Sequence, residues 1–210
     1  MTVVSLKAEN NRRDGALKAE FSDGSSLLFT PGYLPDGERD PALWENRGEL
    51  SSGEEEAFRF AAECYQAEQI ALRLVARAEQ NSLGLTAKLE RRGYGAAVAK
   101  AVVSCFLDRN LLNDGRYAEL WIRFRLTSGK VSPRWLLVSL GKKGIDRGSS
   151  LKALREVLDP ETEYALLLRY LEKTGLGRSG VSKGKREISL KAHLKNEGFS
   201  SDILDRFFIN

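Results

Sequence analysis

One pattern recurs three times in this chain, Leu-x3-Leu-x3-Gly followed by an apolar residue. It reads Leu85, Leu89, Gly93, Tyr94, then Leu136, Leu140, Gly144, Ile145, then Leu190, Leu194, Gly198, Phe199. The glycines are 51 and then 54 residues apart. Two leucines four apart stack on one face of a helix. A glycine four residues further on falls at C′, where the chain turns left-handed and a Cβ is penalised. The apolar residue after it is C″, which packs back on C3, giving the pairs Tyr94 on Leu89, Ile145 on Leu140 and Phe199 on Leu194. The following residue caps a new helix, and Gly95, Asp146 and Ser200 all suit that position.

Other punctuation extends the helical reading. Ser132-Pro133 and Asp159-Pro160 are each a cap followed by proline at the first helical position. Asn113-Asp114 caps a segment whose Tyr117, Ala118, Trp121 and Phe124 make one apolar face, which the spacing assigns to the core. A leading helix for each unit gives three helices per repeat and nine in all. Repeat 3 departs at its start, where Arg186 stands in place of Asn81 and Ser132.

Upstream the pattern differs. Val3–Leu6, Ala16–Phe21 and Ser26–Phe29 are short strand-like runs separated by Asp14-Gly15 and Asp23-Gly24, and Asp-Gly suits tight hairpins. A three-stranded meander is marginal alone, so it should pack on the helical body. Thr30 to Gly53 is rich in Pro, Gly, Asp and Glu and reads as a connector with at most a short helix. Phe58, Ala61, Ala62, Tyr65, Ile70, Leu72 and Leu74 then fit a long helix reaching about Gln80. The expected fold is mainly α: three tandem three-helix repeats in an elongated curved solenoid, with a small N-terminal antiparallel β meander. The expected divisions are 1–53 for the β-rich extension and connector, 54–110 for repeat 1, 111–159 for repeat 2 and 160–210 for repeat 3.

Several function classes fall away. No apolar run approaches the length of a membrane span, and the N-terminus lacks the apolar core of a signal peptide, so a cytoplasmic protein without a membrane is expected. Two cysteines, Cys64 and Cys105, are too few for a disulfide framework or a zinc site and read as reduced thiols. His193 is the single histidine, and no phosphate-binding GxxxxGK[ST] sequence occurs. Glu156, Glu161 and Glu163 read as solvated helix charges. The expectation is a monomeric, non-enzymatic protein with no cofactor and no metal.

Charge supplies the candidate sites. Residues 1–56 hold 6 basic and 12 acidic side chains, whereas residues 57–210 hold 27 basic and 17 acidic ones, a sum of +10. An anionic partner for the helical body follows. The first basic stretch is Arg116, Arg123, Arg125, Lys130 and Arg134, continuing to Lys142, Lys143 and Arg147. The second is the glycine-rich segment from Lys173 to Arg186, with Arg178, Lys183, Lys185 and Arg186 and no acidic residue inside. It reads equally as a loop that orders on an anionic partner and as a solubilising linker.

These residues also carry a family likeness. Ala71-Leu72-Arg73-Leu74 with Leu85-x3-Leu89-x3-Gly93-Tyr94 resembles the first repeat of the RecX family of recombinase regulators. Leu111-Leu112-Asn113-Asp114-x-Arg116-Tyr117-Ala118 is similar to that family's acidic, aromatic-Ala segment. Trp135-Leu136-x3-Leu140-x2-Lys143-Gly144-Ile145 resembles repeat 2, and Leu194-x3-Gly198-Phe199-Ser200 resembles repeat 3. The likeness covers roughly residues 57–208. It implies a partner, the RecA recombinase filament on single-stranded DNA, with the protein lying in the filament groove. It further implies restraint of ATP hydrolysis, of strand exchange in homologous recombination and DNA repair, and of the coprotease activity that triggers the SOS response. Weak direct DNA binding is compatible with that role. The rival readings are a DNA-binding transcription regulator and a structural adaptor without nucleic acid.

Overall fold

The computed structural model describes residues 2–8, 15–44, 49–128, 131–176 and 185–209. They form two compact units, 1–112 and 113–210. As expected, the protein is mainly α-helical with a small N-terminal sheet.

In the first unit β1 (Val3–Ala8), β2 (Leu17–Phe21) and β3 (Ser26–Phe29) form an antiparallel sheet in sequence order. Gly24 takes a φ of 81° in the second hairpin, where the Asp23 carboxylate accepts the Ser25 N–H at 2.9 Å. At the first hairpin Gly15 has a φ of 69°, and Asp14 lies outside the described residues. Ala19, Phe21 and Phe29 are buried under helix α1 (Ser52–Val75). There Phe58 receives Phe21, Phe29 and Trp44 edge-on, with ring centroids 5.9, 5.1 and 4.8 Å away. The meander thus gains from the helix the apolar cover that it lacks alone.

The connector is more ordered than its composition suggests. Three one-turn 3-10 segments, Pro31–Tyr33, Asp36–Glu38 and Pro41–Trp44, replace the single short helix expected. Each begins at or just after a proline, whose fixed φ suits a tight turn. Trp44 buries its ring, and its indole N–H donates to the Glu38 carbonyl at 2.8 Å.

Helix α1 opens on a capping box between Ser51 and Glu54 and ends at Val75, short of Gln80. The Gln80 side chain accounts for the early stop, because its amide donates to the carbonyls of Leu74 and Ala78. Helices α2 (Ser82–Glu90) and α3 (Ala96–Asp108) pack Leu85, Leu89, Val102 and Phe106 against Ala67 and Ala71. The second unit holds α4 (Asp114–Ser128), α5 (Pro133–Gly141), α6 (Arg147–Val157), α7 (Pro160–Thr174), α8 (Lys185–Asn196) and α9 (Ser201–Ile209). One core joins them, with Ile122, Leu136, Leu140, Leu167, Leu194 and Leu204 at its centre.

The glycine turns share one geometry. Gly93, Gly144 and Gly198 have φ of 93°, 83° and 90°. Each glycine N–H donates three residues back, to Glu90, Gly141 and Lys195 at 2.9, 3.0 and 3.0 Å. The next N–H donates five residues back, Tyr94 to Leu89, Ile145 to Leu140 and Phe199 to Leu194, at 3.4, 3.2 and 3.2 Å. That pair of bonds is the Schellman closure the spacing called for.

Candidate cationic and aromatic surface

Helix α4 starts where Asn113 accepts the Arg116 N–H on its side chain, at 2.9 Å, and the Tyr117 N–H on its carbonyl, at 3.0 Å. Its fully buried residues are Ala118 and Ile122, four apart on one face. Phe124 follows Ile122 by two residues, a rotation of about 200° at 3.6 residues per turn, and so points away from the core. It is 64% exposed, and Trp121 is half-buried at the edge of the core. The apolar stripe assigned to the core from its spacing is therefore split, with Phe124 on the outer surface.

Helix α5 brings a second indole to the first. Ser132 accepts the Trp135 N–H at 3.2 Å, Pro133 occupies the first turn, and the Ser132 hydroxyl donates to the Glu197 carboxylate. The Arg134 N–H donates to the Glu197 carbonyl at 2.9 Å, so the turn after α8 fixes the start of α5. Trp135, 41% exposed, lies on Trp121 with centroids 5.9 Å apart and planes within 17°. The Arg125 guanidinium stands 5.2 Å from the Trp121 centroid, 5.8 Å from Phe124 and 6.0 Å from Trp135. From the turn after α5, the Lys143 ammonium reaches within 5.7 Å of Trp121. These are cation–π distances.

The cations singled out in the sequence do not all meet. Arg125 and Lys143 converge on the indole pair. Arg134 and Arg147 flank a groove floored by Leu137, Val138 and Ile145. Arg116 lies apart, in a cleft with Asn113, Glu119, Ser149 and Lys152. Arg123 and Lys142 are exposed. Bonds from Thr162 hold the Asp159 carboxyl below its ordinary pKa, and the positive charge of Arg123 adds to that effect. Lys130, Arg178 and Lys183 lie outside the described residues. Lys185 and Arg186 open α8.

Sequence reasoning missed the aromatic half of this surface. Its signal was the placing of Arg125 four residues after Trp121, which puts a cation over that ring. Two acidic residues also prove to be engaged. Glu163 accepts the N–H and hydroxyl of Ser200 at 2.6 and 3.0 Å, and Glu161 pairs with Arg206 at 2.7 Å. His193 is exposed, with Nε2 3.2 Å from the Tyr170 hydroxyl.

No protein-family model matches the chain. Regulatory protein RecX of Treponema pallidum (strain Nichols) is 33% identical over 147 residues, which cover 70% of this chain and 86% of that protein. Regulatory protein RecX of Halorhodospira halophila is 32% identical over 134 residues, covering 63% of this chain and 80% of that one. A crystal structure of regulatory protein RecX shares the fold with a TM-score of 0.67 at 16% identity, over 100% of this chain and 99% of that chain. RecX from Lactobacillus salivarius shares it with a TM-score of 0.54 at 24% identity, over 70% and 94% of the two chains. Fold and likeness together define the class: a mainly α-helical regulatory protein in which no described helix is long and apolar enough to cross a membrane. The chain belongs to the RecX family of regulatory proteins.

Proposed function

We propose that this protein binds the RecA recombinase filament assembled on single-stranded DNA and restrains its ATPase, strand-exchange and coprotease activities. It acts by occupying a surface and performs no chemistry of its own. The observation that carries this reading, beside membership of the family, is the charge of α4 to α6. Residues 114–157 hold ten basic side chains against four acidic ones. A filament with phosphates in its groove is an anionic partner of the kind such a field attracts. The docking residues proposed are Arg123, Arg134, Lys142 and Arg147, which are exposed, with half-buried Arg116, Arg125 and Lys143. Residues 54–110, 111–159 and 160–210 are proposed as successive repeats, each offering part of the contact. The test is ATP hydrolysis by RecA on single-stranded DNA, measured across a titration of this protein. A fall in rate that saturates supports the proposal, and an unchanged rate at saturating protein rejects it.

A further inference from the structure

We propose that Trp135 and Phe124, backed by Trp121 and flanked by Arg125 and Lys143, form a stacking platform for the unpaired bases of single-stranded nucleic acid. This goes beyond filament binding, since it requires no recombinase. Isolated exposed apolar side chains are ordinary on protein surfaces. Here, however, the exposed rings converge on one cation. Trp121 is rooted against the core, and Trp135 lies on it as the outer member of a nearly parallel pair, 5.9 Å apart. Phe124 meets the same cation, since the Arg125 guanidinium is within 6.0 Å of all three ring centroids. The outer indole is held in place from two directions, by the Ser132 cap and by the bonds of the α5 start to Glu197.

The chemistry selects the ligand. An acidic peptide would satisfy the cations but would gain little from flat ring faces. A nucleobase offers a π-face to Trp135 or Phe124 while its phosphate meets Arg125, Lys143 and the surrounding excess of basic residues. Stacking of that kind is indifferent to base identity. In a duplex the same faces are already stacked on their neighbours, so the platform discriminates in favour of single strands.

The experiment uses the full chain without RecA, with a fluorescently labelled oligothymidylate, an abasic oligomer of equal length and a duplex. Expected is binding to the oligothymidylate at low salt, with much weaker binding to the other two. Trp135→Ala and Phe124→Ala should each weaken it by about fivefold to a hundredfold, the range of alanine substitutions at stacking residues. Trp135→Phe should recover most of the loss, and the salt slope should stay unchanged because the phosphate contacts remain. Phe124→Ala removes an exposed ring, and circular dichroism confirms that each variant is folded. The proposal is overturned by failure to bind oligothymidylate, by equal binding of the abasic oligomer or duplex, or by wild-type affinity in both alanine variants. Alanine variants that keep single-strand binding but lose filament inhibition would make the rings a protein-docking surface and leave the filament reading standing. Loss of single-strand binding with inhibition intact would sustain the platform and show it to be separate from the filament site.

Discussion

Gly93 and Gly198 share a left-handed backbone but not an environment. A Cβ on Gly93 would meet nothing within 4 Å, whereas one on Gly198 would lie 3.1 Å from the Arg134 backbone nitrogen and 3.3 Å from Pro133 Cβ. Gly93→Ala should therefore cost only the strain of the left-handed conformation, about 1 kcal/mol. Gly198→Ala should cost more, because relief of the contact disturbs the Arg134 to Glu197 bond, and urea unfolding of the two variants tests the order. Gly144→Val should cost on the order of 1–2 kcal/mol, since a β-branched residue resists a φ of 83°. A fourth copy of the closure escaped the glycine pattern. Asn110 ends α3 at a φ of 52°, with Asn110 and Leu111 N–H groups bonded to the Leu107 and Phe106 carbonyls, both at 2.9 Å. Asparagine is the ordinary substitute for glycine there, so the signal was present but weaker. The thiols also separate at this scale. Burial pushes the Cys64 thiol up to about 12, with the charges of Glu63 and Glu68 adding to the rise. A thiol-reactive dye should thus label half-buried Cys105 in the native protein and reach Cys64 only after unfolding.

Among the helices, legibility followed the range of the interaction that fixes each boundary. Caps and glycine turns are settled within a few residues, so Ser132, Asp146 and Asp159 could be assigned from spacing, and each accepts the expected N–H. The burial of Trp44 against Phe58 and the outward turn of Phe124 depend instead on tertiary packing and on the competition for a core face. No local pattern encodes those. The caps also make a pH prediction. Hydrogen bonds from Ser149 lower the Asp146 pKa, and bonds from Thr162 lower that of Asp159. A carboxylate with a folded pKa below its unfolded value contributes stability that is complete above the unfolded value, 3.8 here. The contribution is lost as pH falls through the folded value. Asn caps as well as Asp without titrating. Asp146→Asn with Asp159→Asn should match wild type near neutrality and lose less stability than wild type as pH drops below about 4. Thermal melts across an acid series give the comparison.

For the molecule as a whole, the sequence revealed a basic field but not how its members are used. Lys143 illustrates the difference. Its ammonium lies over Trp121, so reversing it would disturb packing as well as charge. Arg123 and Lys142 are the cleaner probes, since both are exposed. Exposed charges contribute little to folding, so Arg123→Glu with Lys142→Glu should leave the melting temperature nearly unchanged. Like charges set against an anionic filament cost several kcal/mol, so the same variant should need a much higher concentration to suppress ATP hydrolysis by RecA. The control is reversal of Glu56 and Glu63 to Lys, two exposed acidic residues on α1, which should leave inhibition close to wild type. Ionic strength supplies a second, independent axis. If phosphates are what the cations meet, inhibition should weaken steeply with salt for the wild type and less steeply for the reversed variant, which has fewer counterions to displace. Were the reversed variant to inhibit at the wild-type concentration and with the wild-type salt slope, the exposed cations of α4 and of the turn after α5 would play no part in docking. The segment from Lys173 to Arg186 would then be the basic region to reverse next.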